Sequence, residues 1–245
     1  MTSSRLPGKV LLKALKGMSM LEFMINRVKR AKLIDEIVIA TTINETDNPI
    51  VNLCDKLNVK YYRGPEDDVL LRVLNAHKKF KSDIIVELTG DCPLIDPNIV
   101  DEIILFYTEN NYDYVSNSHL RSYPDGFDVQ VFSTKLLSQV SSLTNNKYDR
   151  ENVSSYIYRT NKYNIYGIVA PKELFWPNLR VTLDDKGDYL LIKKIIKKLH
   201  RELGFSFRAL DVINYIRKNL HLLDLIKDSR TSNAPYQLIA DGPRD

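Results

Sequence analysis

The 245 residues include only two cysteines, one tryptophan, four histidines and nine glycines. Cys54 and Cys92 have neither metal-knuckle nor redox-pair spacing, which excludes a disulfide framework and points to reduced thiols in a cytoplasmic protein. His77, His119, His200 and His221 show no metal-ligand spacing either. No apolar run approaches the roughly 20 residues that a membrane-spanning helix requires. No apolar stretch follows the first basic residue, so a secretory signal is not expected. Charge of one sign is also lacking: 35 Lys and Arg face 31 Asp and Glu, a formal net charge of +4. That balance suits a small anion and gives no ground for a nucleic-acid or membrane partner.

What is present is an ordinary globular composition, 44% hydrophobic and 27% charged, long enough for one substantial core. Short β-branched runs alternate with helical segments, the pattern of an α/β sheet protein. Leu21, Met24, Ile25 and Val28 form one helix face. Ile37 to Ala40 is a continuous apolar run and predicts a parallel strand buried on both sides. Asn48-Pro49 predicts a capped helix start. Val59 to Tyr62 reads as a strand, Asp67 to Phe80 as a helix and Ile84 to Val86 as a third buried strand. Asp96-Pro97 opens a helix reaching Glu109.

From Tyr114 to Ala170 the rhythm changes. Strands are expected at Tyr114-Val115, Phe127 to Phe132 and Ile165 to Val169, with helical pieces at Lys135 to Val140 and Asp149 to Arg159. We read 114–170 as an inserted, substrate-facing or dimer-facing subregion of one domain spanning 1–227. Leu179 to Leu183 is expected to return to the main sheet. The helix after it buries Ile192, Ile195, Ile196 and Leu199 and turns Lys193, Lys194, Lys197 and Lys198 to solvent. Residues 228–245 lack periodicity and read as a flexible tail.

Three segments carry chemistry. Ser3-Ser4-Arg5-Leu6-Pro7-Gly8-Lys9 gathers two hydroxyls, two cations and a glycine. A triphosphate needs cations and donors, and glycine permits close backbone approach. A basic surface turn has the same composition. Leu88 to Asp96 follows a strand directly, where open α/β sheets bind ligands. Asp91 there could hold magnesium, which binds one or two carboxylates plus substrate phosphates. Asp96 reads as a helix cap. Arg180-Val181-Thr182-Leu183-Asp184-Asp185 again ends a strand candidate in acids. If the two strand ends are neighbours, Asp91 and Asp184 share one ion, while Asp185 and Asp188 serve the next helix's N-terminus.

Together with Tyr62 to Leu70, Tyr123 to Phe132 and Arg150 to Val153, these segments resemble the cytidylyltransferases of bacterial surface-sugar synthesis. The resemblance is strongest to the spore-coat polysaccharide and acylneuraminate/deoxyoctulosonate branch, and it spans residues 2 to 226. It implies a three-layer αβα nucleotidyltransferase fold, Rossmann-like and glycosyltransferase-A-like, with a mixed, mainly parallel sheet. It implies CTP and a sugar-like acceptor as partners, Mg2+ as cofactor and a homodimer. By the same resemblance Arg5 and Lys9 hold phosphates, with Ser3 and Ser4 against the triphosphate. Asp91 and Asp184 coordinate magnesium, and Arg5, Lys9 and Asp91 form the catalytic set. Arg63 and Arg72 fall in the nucleotide-contact stretch. Asp125, Asp128, Gln130 and Glu151 fall in acceptor-like segments, where strand polarity and helix capping explain them equally well.

Two departures qualify the resemblance. The family follows its second magnesium aspartate with Pro and Glu, whereas here Asp184 is followed by Asp185-Lys186-Gly187-Asp188. The family also carries a buried first strand and a Gln-Ala-Arg segment ahead of the loop. This sequence begins at the loop, so a sheet without that strand is expected. Two other functional classes fit parts of the pattern. One is a metal-dependent glycosyltransferase, which has no γ-phosphate for the Arg-Leu-Pro-Gly-Lys loop to hold. The other is a non-catalytic binding homologue.

Overall fold

The computed structural model describes residues 5–227 and the backbone of Gln237–Leu238. A hairpin of β1 (Lys13–Leu15) and β2 (Met18–Ser19) leads into α1 (Met20–Val28), whose N-terminus is capped by Ser19. Then come β3 (Val38–Thr42), α2 (Asn48–Leu57), β4 (Lys60–Gly64), α3 (Val69–Phe80), β5 (Ile84–Glu87) and α4 (Pro97–Glu109). The middle of the chain forms β6 (Tyr114–Ser116), β7 (Leu120–Arg121), β8 (Gln130–Ser133), α5 (Thr134–Leu143), α6 (Lys147–Glu151), α7 (Ser155–Arg159) and β9 (Ile165–Gly167). The long α8 (Lys186–Leu203), then α9 (Ala209–Arg217) and the short β10 (Gln237–Leu238), complete the elements.

β3 and β4 pair in parallel, with Val38 opposite Lys60 and Thr42 opposite Gly64. β5, β8, β6 and β9 form a four-stranded mixed sheet in that order. β8 runs antiparallel to β5 and β6, and β9 runs parallel to β6. β3 and β5 are not paired with each other. Residues alternate between the two faces of the four-stranded sheet, as the two-residue period of a strand requires. Val115 and Val131 pack against α1, α4, α8 and α9, while Ile85, Tyr114 and Phe132 pack against α3, α5 and α7. Helices on both faces give three layers. Each fully buried side chain such as Phe132 contributes roughly 1.5–3 kcal/mol over its exposed state.

One buried cation ties the layers together. Arg27 on α1 is fully buried and donates to the carbonyl oxygens of Leu94, Ile95, Phe205 and Phe207. Its guanidinium lies 3.8 Å from the centre of the Phe207 ring. Burial lowers its pKa to about 10, which still leaves it charged at neutral pH.

Several local expectations are corrected. β3 is only partly buried, Thr41 alone being fully so, because one of its edges has no strand partner among the described residues. Asn48 is already helical, and Asp47 precedes it as the cap position. The Asp47 side chain does not cap; it accepts from the hydroxyls of Thr41 and Thr42, each at 2.7 Å. The helix expected over 149–159 is broken in two around Val153, whose φ of 41° no helix accommodates. Leu179 to Leu183 is not a regular strand; it makes an isolated bridge, Asp125 to Arg180, and a separate backbone bond from Leu183 to Asp91. The subregion 114–170 is continuous with the main sheet, since it supplies β6, β8 and β9.

Other expectations coincide with the structure. α4 starts at Pro97, with the Asp96 side chain accepting from the Asn98 N–H. α8 buries Ile192, Ile195, Ile196 and Leu199 and leaves Lys194 and Lys197 exposed. Of the tail expected over 228–245 only Gln237–Leu238 is described, and there, against the expectation, the chain pairs as a strand with Leu120–Arg121. Ser3 and Ser4 lie outside the described residues.

Candidate active site

The loop that begins at Arg5 turns at Gly8, whose φ of 67° is left-handed and costs glycine nothing. A single 3-10 turn, Lys9–Leu11, follows and aims the Lys9 side chain inward. Its ammonium donates to Asp91 Oδ2 at 3.0 Å and to Asp184 Oδ1 at 2.9 Å. Arg5 Nη2 lies 3.1 Å from the same Asp184 oxygen. Residues 82 and 175 positions away from Lys9 thus meet on one nitrogen.

Backbone bonds explain the meeting. The Leu183 N–H donates to the Asp91 carbonyl at 2.8 Å, and the Val181 N–H donates to the Asp125 carbonyl at 2.8 Å. Asp125 in turn donates to the Leu179 carbonyl at 2.9 Å. The segment 179–184 therefore aligns Asp91, Asp125 and Asp184 along one seam. Arg180 and Thr182 then orient Asp184 Oδ2, at 3.4 and 3.0 Å. Arg180 also pairs with the buried Asp188, which forms a reciprocal capping box with Asp185 at the start of α8. Asp185 and Asp188 thus serve the helix.

Electrostatics follow from this placement. Burial pulls the Lys9 pKa down, but Asp91 and Asp184 outweigh it, so the net shift is upward. Burial pushes Asp184 up, but the Lys9 bond and charge, with Thr182 and Arg5, hold it below the ordinary value. Asp125 is pushed up to about 7 by burial and the nearby Asp128, against the pull of Arg121. Asp128 is held by Arg121 through two bonds of 2.6 and 2.9 Å.

The remaining expected residues divide into two groups. Gln130 lies inside, its carbonyl accepting from Tyr114 and Ser154 at 2.7 Å each. Arg72 lines a cavity of about 320 Å³ together with Gly8, Lys9, Val10 and Thr42. It donates to the Pro65 and Glu66 carbonyls, and its buried Nε has no partner. Arg63 is spent on the β3–α2 connection, donating to the Thr42 and Asn44 carbonyls and to Asn48 Oδ1. Glu151 is exposed on α6 and meets Lys147 at 3.7 Å, so the structure does not bring it to the seam. A larger groove of about 690 Å³, lined by Val28, Ile37, Lys60 and Phe80, includes none of the expected site residues.

Three participants escaped the sequence reading. Arg180 and Arg121 were visible only as charges near acids, and the acids they hold lie four to eight residues further along the chain. Glu87 extends β5 by one residue and lies half-buried opposite Gln130, with its buried Oε2 lacking any partner. Burial pushes it to about 8. A charged residue at the end of an apolar strand was the available signal.

Among the described residues no group of three or more His, Cys, Asp or Glu could hold a metal. Two carboxylates that converge on one ammonium nevertheless fit a small hard cation, if phosphate oxygens or water complete its shell.

Comparison with known proteins identifies the family. A family model described as "Cytidylyltransferase" matches residues 1–200. An uncharacterized protein of Methanocaldococcus jannaschii is 38% identical, over 91% of this chain and 86% of its own. The spore coat polysaccharide biosynthesis protein SpsF of Bacillus subtilis is 31% identical, over 89% of this chain and 91% of its own. The solved structure of a cytidylyltransferase from Leptospira borgpetersenii superposes with a TM-score of 0.84 at 31% identity, covering 95% of this chain and 94% of that one. With its three-layer fold and the match of the family model over residues 1–200, the chain belongs to the cytidylyltransferase family and is a nucleotidyltransferase.

Proposed function

We propose that the protein transfers CMP from CTP to a hydroxyl of a sugar, sugar acid or related acceptor in surface polysaccharide or glycan synthesis. The observation that carries this reading is the meeting of Arg5 and Lys9 with Asp91 and Asp184 at one point. The acceptor oxygen forms a bond to the α-phosphorus, the bond from that phosphorus to the bridging oxygen breaks, and pyrophosphate leaves with the electron pair. The hydroxyl proton passes to solvent. Arg5 and Lys9 bind phosphate oxygens and offset the charge that moves onto pyrophosphate. Asp91 and Asp184 would hold Mg2+, which supplies further charge neutralisation at the phosphates when bound.

The cavity beside Lys9 and Arg72 suits the nucleoside. The acceptor side is formed by Asp125 on the seam, Gln130 on β8 and Asp128 between them in sequence. Asp128 acts through its fork with Arg121, which fixes the direction of both groups. Positioning of the two substrates accounts for much of the acceleration. The reading also includes a homodimer. It is supported by the stacked Phe106, Tyr112 and Tyr166, beside exposed Leu105 and Val169.

The test is pyrophosphate release from CTP and Mg2+ with a panel of sugar acids and simple sugars. Lys9→Ala and Asp91→Ala are each expected to lower turnover by roughly 100- to 1000-fold, the range seen when one charge-stabilising group is removed. Near-normal turnover in either variant contradicts the reading.

A further inference from the structure

Lys9 stands where a divalent cation would. Its ammonium contacts Asp91 Oδ2 and Asp184 Oδ1 at 3.0 and 2.9 Å, so both oxygens converge on one nitrogen. A small hard cation binds carboxylate oxygen at about 2.1 Å. Such an ion on both carboxylates would lie against the ammonium, and like charges at that range repel strongly. The ammonium and the ion therefore exclude each other. The neighbouring cations strengthen the exclusion: Arg5 reaches the same Asp184 oxygen at 3.1 Å, and Arg180 reaches its other oxygen at 3.4 Å.

Lys9 also has somewhere to go. It lines the cavity of about 320 Å³ as well as the seam, and its side chain is 17% exposed. An anion entering that cavity offers the ammonium a second set of oxygens.

Building on the function proposed above, we infer that Lys9 is a placeholder cation. It holds Asp91 and Asp184 together in the free protein, bars a divalent ion from binding alone, and yields the pair when nucleotide phosphates draw its ammonium away. Ion and nucleotide then bind with positive coupling, and the coupling is reciprocal. The free protein keeps its two carboxylates compensated, and the order of binding is set by one side chain.

The test is a Mn2+ titration without nucleotide, with the free ion followed by electron paramagnetic resonance. Lys9→Met should bind Mn2+ at least about tenfold more tightly than the wild type, within the usual range of such couplings. Lys9→Arg should retain the exclusion. Adding Asp184→Asn to Lys9→Met should abolish the gain, which places the ion at the pair. Equal Mn2+ affinity in the wild type and Lys9→Met overturns the inference. Should Lys9→Met fail to fold, wild-type crystals soaked in Mn2+ alone decide the matter. No anomalous peak between Asp91 and Asp184 is expected, and a peak there overturns the inference. Failure of the cytidylyltransferase reading has a separate signature, namely absence of CTP binding by the folded wild type in Mg2+.

Discussion

The Leu183 N–H donates to the Asp91 carbonyl oxygen at 2.8 Å, and through this one bond the loop after β5 is tied to the segment that ends in Asp184. The two carboxylates come from positions 91 and 184, yet their separation is fixed by backbone. Side-chain rotamers then need to supply only the last adjustment, which Thr182 and Arg180 make for Asp184.

The same seam makes Gly126 sensitive. Its φ is 114°, and a Cβ there would stand 2.9 Å from Val181 Cγ2 and 3.0 Å from the Val181 backbone. Gly126→Ala should destabilise the protein by roughly 1–3 kcal/mol, the cost of forcing a non-glycine residue into such a conformation. It should also lower turnover in the fraction that folds, because Val181 lies in the same extended segment three residues before Asp184. Urea denaturation measures the first effect and pyrophosphate release the second.

Arg27 gives a stability test remote from the carboxylates. Arg27→Met leaves the Leu94, Ile95, Phe205 and Phe207 carbonyls without their donor. Each unpaired buried acceptor costs about 1–3 kcal/mol, and relaxation shares the cost, so a loss of roughly 3 kcal/mol or more is expected. Chemical denaturation of the purified variant checks it, and a loss below about 1 kcal/mol would count against the role assigned to this side chain.

Glu87 predicts a pH dependence. Burial raises its pKa from 4.5 to about 8, so between those values the folded chain binds a proton that the unfolded chain releases. Stability from this group is therefore fullest below pH 4.5 and declines as pH rises through about 8. Glu87→Gln should raise the melting temperature near pH 8 and leave it almost unchanged near pH 5. Thermal melts of both proteins across that range decide the point, and an equal shift at both ends would show that ionisation is not the cause.

The sequence made the alternation of helices and strands legible, because period and capping are local properties. Asp96-Pro97 placed α4 correctly, and the Asp185/Asp188 pair was readable as a helix start. What was not legible depended on segments far apart in the chain. Leu179 to Leu183 has the apolar character of a strand, but its hydrogen bonds go to Asp91 and Asp125 in turn instead of to one partner strand. The break at Val153 contradicts local helix preference and is imposed by packing, with Val153, Ser154 and Ser155 all buried. Arg5, Lys9, Asp91 and Asp184 were singled out by resemblance, and the structure brings them together. Arg63 and Glu151 came from the same resemblance and are engaged in local bonds instead. Arg121 and Arg180 touch acids four to eight residues away, but composition alone did not separate these pairs from ordinary surface charges.

The central claim is that the point where Arg5, Lys9, Asp91 and Asp184 meet receives the phosphates of CTP. Calorimetric titration of the folded protein with CTP in Mg2+ tests it most directly. The account predicts saturable binding that Lys9→Ala weakens by roughly ten- to hundredfold, the worth of one charge-assisted hydrogen bond. Binding of CTP that is unchanged in folded Lys9→Ala, or no binding by the folded wild type, would contradict it.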